Sequence, residues 1–111
     1  MKKVLVGTTI VFFFLVVSLY AKDEKAGDYA QGKKLYQQNC QMCHGANGKG
    51  DGPLAETLVN IPANLTSSKI VKSDNKKLIA NAIENGHRIM PPLDLSGDQV
   101  TKVIDYIINT F

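Results

Sequence analysis

Residues 40–44 read Cys40-Gln41-Met42-Cys43-His44. No other stretch constrains this chain as much, and cysteine occurs nowhere else in it. On a helical turn, side chains at i and i+3 stand on one side. Both sulfurs are then presented together, and the histidine that follows at once reaches toward the same side. C-x-x-C-H is the attachment pattern of a c-type haem: the thiols add across the two vinyl groups of the porphyrin, and the histidine binds the iron axially. Cys40 and Cys43 are therefore the candidate covalent anchors, and His44 is the candidate proximal ligand. Similar residues serve other chemistries. A C-x-x-C pair can be a dithiol/disulfide redox couple or a plain disulfide, but the redox couple expects a βαβ setting, and no alternation of strands and helices is legible here. A zinc site with His87 as fourth ligand would need the adjacent Cys43 and His44 to point tetrahedrally at one small ion.

A haem iron in an electron carrier wants a second axial ligand. Of the three methionines, Met1 belongs to the initiator segment and Met42 projects away from the face that the cysteines share. Met90 is left, followed by Pro91 and Pro92. Consecutive prolines cannot enter a helix interior and hold the backbone extended, so Met90 sits on a stiff segment that can press its thioether on the metal. His87 is the competitor, since bis-histidine ligation is chemically sound. The ordinary role for such a methionine is to fill a gap in a core.

Three runs, Cys40-Gln41-Met42-Cys43-His44-Gly45, Gly48-Lys49-Gly50-Asp51-Gly52-Pro53 and Met90-Pro91-Pro92, occur in the order and approximate spacing of a bacterial family. Residues 28–111 resemble a small monohaem class I c-type cytochrome. The resemblance implies an all-α fold, with three main helices and short turns wrapped around one covalently bound haem c. It implies that the Pro53 carbonyl accepts a hydrogen bond from the free ring nitrogen of His44, as metal-bound histidines generally require. It also implies that the first and last helices cross where Gly32 and Tyr36 meet Tyr106. The run Ile61-Pro62-Ala63-Asn64-Leu65 matches segments that line a haem edge in the family, though it also reads as an ordinary surface loop.

The rest of the chain supports a small helical domain. Residues 28–39 carry Gly32, Leu35, Tyr36 and Cys40 at helical spacing, with Asp28 as candidate N-cap. Glycine inside a helix costs about 1 kcal/mol relative to alanine, so Gly32 suggests close approach by another element. Residues 45–54 hold Gly45, Gly48, Gly50, Gly52 and Pro53, a turn-rich loop. It lacks the Lys-Ser/Thr ending of a phosphate-binding loop. A short helical turn is expected at 56–59. Residues 73–85 form a helix capped by Ser73 or Asp74, with an apolar stripe of Leu78, Ile79, Ala82 and Ile83, and it ends at Gly86 in the left-handed region. The last helix spans 96–110. Ser96 and Gln99 make a capping box, and Val100, Val103, Ile104, Ile107, Ile108 and Phe111 repeat on one face.

Met1-Lys2-Lys3 followed by the apolar run 4–20 reads as an export signal over 1–21, with 22–27 a polar linker. Ala21 suits the position before the cut, but Leu19 is large for the place two earlier. An uncleaved N-terminal anchor is the alternative, because the run nearly reaches spanning length. Export agrees with the resemblance, since bacterial c-type haem is attached outside the cytoplasm. The expected location is the periplasm, or the periplasmic face of the inner membrane if the leader stays. The 111 residues carry 13 basic and 10 acidic side chains. Loss of Lys2 and Lys3 leaves a net charge of about +1 (11 − 10), which gives no ground for nucleic-acid binding. Lys69, Lys72, Lys76 and Lys77 form a solvated face or a docking patch for an acidic redox partner. With the leader removed, so short a chain buries little apolar surface by itself, and a covalent haem would supply much of the core.

With one C-x-x-C-H and two axial ligands, the iron has no open position. The expectation is a single-electron carrier, not an enzyme, working between periplasmic or membrane redox proteins such as an oxidoreductase or oxidase. The alternatives are a haem subunit held in a larger oxidoreductase complex, and an enzyme or ligand sensor with an open or labile sixth position.

Overall fold

The computed structural model describes residues 24–111. The leader expected over 1–21, and with it the question of an anchor, lies outside the described residues. Helix α1 covers 24–39, α2 is Gln41–His44, a 3-10 turn is Ala55–Thr57, α3 is Lys69–Lys72, α4 is Lys76–Asn85 and α5 is Gly97–Thr110. No strand occurs among the described residues, and one antiparallel bridge joins His87 to Met90. The chain is all-α, as expected.

Two of the long helices start differently from the sequence reading. Asp28 lies inside α1 instead of capping it, and 24–27 continue the helix instead of forming a lead-in. Glu24, Lys25 and Ala26 are good helix formers, and Asp28 is drawn to Lys102 on α5 at 3.4 Å. The cap of α4 is Asn75, whose Oδ1 accepts from the Leu78 N–H at 3.2 Å. Ser73 is instead the C-cap of α3, a turn that the lysine-rich run did not announce, and Asp74 takes a positive φ of 53° that turns the chain into α4. At the other end, Gly86 has φ 77°, as the helix stop required. The capping box of α5 is formed: Gln99 N–H donates to Ser96 Oγ at 3.3 Å, and Ser96 N–H donates to Gln99 Oε1 at 2.9 Å.

The core is one cluster joining α1, α3, α4 and α5. It contains Tyr36, Cys40, Leu65, Val71, Ile79, Ile83, Val100, Val103, Ile104, Tyr106 and Ile107. Helix α5 supplies more of it than any other element, while on α4 Ile79 and Ile83 face inward and Leu78 stays half exposed. Helices α1 and α5 cross at Gly32. A Cβ there would meet the Lys102 carbonyl oxygen and lie 2.9 Å from Tyr106 Cβ. Around the crossing, Tyr106 packs its ring on Tyr29 and Tyr36 with centroids 5.2 and 5.5 Å apart, and Tyr36 packs on Phe111 at 5.2 Å. The crossing residues Gly32, Tyr36 and Tyr106 are thus brought together. Lys102 spans the same seam, with Asp98 at 2.9 Å and Gln31 at 2.8 Å. Lys76 is paired with Asp105 at 2.9 Å, so the lysine run is not wholly free to face a partner. Among the described residues, no helix is long and apolar enough to cross a membrane.

Candidate haem-binding site

The core face of α1 ends in Cys40, and a sharp turn there starts α2. Cys40 N–H still donates to the Tyr36 carbonyl, and His44 N–H to the Cys40 carbonyl at 2.9 Å, so both thiols and the imidazole ride on one helical turn. Both cysteines are free. Cys40 is buried; burial first, and then the neighbouring Cys43, push its thiol up to about 12. Cys43 is half-buried, and Met42 between them points out, 48% exposed.

A helix as short as α2 leaves nearly all its carbonyls without partners of its own. The glycine-rich loop supplies them. Gly50 N–H donates to the His44 carbonyl at 2.8 Å, Gly52 N–H to Cys43 at 3.0 Å and Leu54 N–H to Met42 at 2.9 Å. Alternate residues of the loop thus run back along the end of the helix. Glycine at 52 is a steric requirement, because a Cβ would collide with the Met42 and Gln41 carbonyl oxygens. Gly50 is in the same case against the Pro62 carbonyl, and it also has φ 78°. Its missing side chain lets 61–65 lie close across the loop, where Leu65 N–H donates to the Gly48 carbonyl at 2.6 Å.

That approach decides what orients His44. Nδ1 of His44 lies 3.0 Å from the carbonyl oxygen of Ala63, not of Pro53. The expectation of Pro53 is corrected for a physical reason. Residues 50–54 are occupied in covering the end of α2, which leaves Pro53 exposed, and the carbonyl aimed at the ring comes from the segment that Gly48 and Gly50 admit. The legible signal for Ala63 was the extended Pro-Ala-Asn-Leu run, which had two open readings. A carbonyl only accepts, so Nδ1 carries the proton and Nε2 keeps a lone pair for a metal.

Met90 is carried by a tight turn. His87 N–H donates to the Met90 carbonyl at 3.0 Å and Met90 N–H to the His87 carbonyl at 2.9 Å, with Arg88 at φ 53° between them. Gly86 lies beneath this turn: a Cβ on it would come within 2.7 Å of the Met90 carbonyl oxygen. After the prolines, Leu93 N–H returns to the Ile83 carbonyl at 2.8 Å. Met90 is half-buried and packs against the core cluster, whereas His87 is exposed. Among the described residues, no group of three or more His, Cys, Asp or Glu side chains is placed to hold a metal ion, so the zinc arrangement finds no support.

The donor set fits a c-type haem. Two free thiols share a helical turn with an imidazole whose Nδ1 is held by the Ala63 carbonyl, which leaves Nε2 for a metal. Neither a curated protein nor a solved structure matches the chain significantly. The family described as cytochrome c oxidase, cbb3-type, subunit III matches residues 27–107. The match takes in the C-x-x-C-H turn, the loop that covers it, the Met90 turn and most of α5, and on that ground the chain belongs to this family and is a class I c-type cytochrome.

Proposed function

We propose that this protein moves single electrons through one covalently attached haem c whose iron is held by His44 and Met90. Haem-based electron transfer follows from the family. The ligand pair is supported by one observation above the others. Met90 is half-buried against the core on a turn closed by two hydrogen bonds, while the rival His87 is exposed. The haem supplies a reversible one-electron couple at its iron. Cys40 and Cys43 would hold the porphyrin covalently, and His44, oriented by the Ala63 carbonyl, would offer its Nε2 to the iron. A thioether from Met90 would favour the ferrous state relative to a second imidazole. Held by both residues, the iron would offer no place to substrate or oxygen, which supports a carrier over an enzyme. The export signal read in the sequence over 1–21 supports a periplasmic location, or the periplasmic face of the inner membrane with the leader uncut.

A second reading has its own ground. The matched family is described as a subunit of an oxidase, so the domain can instead be a fixed haem subunit of an oxidase complex. Its redox partners are then neighbours in that complex, and it would co-purify with them.

Absorption spectra of the exported protein, oxidised and reduced, test the ligand pair. Wild type is expected to show the weak far-red band of a sulfur-ligated ferric haem, and Met90→Ala to lose it and bind CO when reduced. A wild type without the band that binds CO readily would point to an open site and sink the carrier reading.

A further inference from the structure

Tyr36 stands on α1 one helical turn before Cys40 and is only 1% exposed. Its ring does what the helix crossing demands, packing on Tyr106 and Phe111. A phenylalanine would do that equally well. The hydroxyl has separate work: it donates to the carbonyl of Gly45 at 2.7 Å. Gly45 directly follows His44 and has φ 84°, and a Cβ there would collide with the Asp51 carboxylate. Its N–H closes α2 on the Gln41 carbonyl at 2.9 Å. Its carbonyl has one other partner, the Gly48 N–H at a longer 3.2 Å. Burial holds the Tyr36 phenol well above its usual range, so it stays a donor throughout the working pH range.

The hydroxyl therefore pins the peptide next to the candidate iron ligand to the core where α1 and α5 cross. We propose that Tyr36 is a positioning residue for His44, and that its hydroxyl, through the Gly45 carbonyl, raises the reduction potential of the haem. This rests on His44 as the proximal ligand. Two effects have the same sign. The O–H dipole places its positive end at the Gly45 carbonyl, one residue past His44, where it would disfavour the extra positive charge of ferric iron. It also keeps the loop closed against water, which would stabilise that charge. Removing it lowers the potential by both routes.

The test compares wild type, Tyr36→Phe and Tyr106→Phe, each exported with haem. The last removes a hydroxyl from the same aromatic cluster that makes none of the described bonds to the loop. Covalent haem is read from the pyridine haemochrome spectrum, the midpoint potential by redox titration, and Tm by calorimetry. Tyr36→Phe is expected to keep its haem and to shift the reduction equilibrium at least threefold toward ferric, about 28 mV at 59 mV per decade, with Tyr106→Phe shifting it less. A lower Tm with the potential unmoved would show a structural role only and overturn the proposal. Should Tyr36→Phe fail to retain haem, 3-fluorotyrosine placed at position 36 strengthens the donor and must raise the potential; no rise overturns it. A wild type lacking covalent haem would instead remove the proposed function itself, an outcome distinct from any behaviour of the variants.

Discussion

At position 52 a hydrogen atom is the largest side chain the backbone admits. Gly52 sits against the Met42 and Gln41 carbonyls while its own N–H caps Cys43. Its φ is not among the positive ones, so substitution there is a matter of collision and not of dihedral strain. Gly52→Ala is expected to cost about 1–3 kcal/mol, read as a lower urea midpoint. Because the displaced atoms belong to the C-x-x-C-H turn, haem content should fall as well. An unchanged midpoint and full haem would mean that the loop does not hold α2 as described.

Two of the glycines on α1 and α5, Gly32 and Gly97, have opposite meanings. Gly32 lies under the crossing, with the Lys102 carbonyl and Tyr106 Cβ in the way of a methyl group. Gly97 is the first residue of α5 after the Ser96 cap, and a Cβ there meets nothing within 4 Å. Gly32→Ala should therefore force the helices apart and destabilise by about 1–3 kcal/mol, although alanine is the better helix former. Gly97→Ala should stabilise by roughly 0.5–1 kcal/mol, through helix propensity and a less free unfolded chain. Thermal unfolding of the two variants side by side checks the pair. If both gained stability, α1 and α5 would not be in close contact at Gly32.

Over the whole molecule, the cluster formed by α1, α3, α4 and α5 includes Cys40 itself, so a group bonded to that sulfur is continuous with the core. So small a domain gains little from its own apolar residues. The double variant Cys40→Ala/Cys43→Ala, with no thiol to bond the porphyrin, is expected to lose its cooperative transition or to melt at least about 10 °C lower, which is what ~2 kcal/mol amounts to at this size. A Tm equal to that of the haem-bound protein would deny the haem a share in the core.

The sequence by itself determined what depends on residues near one another along the chain. The two thiols and the imidazole, the Ser96/Gln99 capping box, the α5 stripe and the stop at Gly86 are local patterns, legible because a helix brings i, i+3 and i+4 together whatever surrounds it. Gly32 was legible as well, since a glycine that costs helix stability needs a packing reason. Tertiary structure decided what depends on which distant backbone comes close. The carbonyl that orients His44 had several candidates in a loop rich in turns. Ala63 rather than Pro53 holds the position because Gly48 and Gly50 let 61–65 cross the loop. The Tyr36–Gly45 bond escaped notice for the same reason, whereas the short helix α3 and the Asn75 cap are local features whose signal was divided among neighbouring cap residues, Ser73 and Asp74 reading as well as Asn75. A hydrogen bond between residues brought together only by folding leaves no periodicity in the sequence, and a tyrosine that packs its ring looks the same, residue by residue, as one whose hydroxyl holds a ligand's backbone in place.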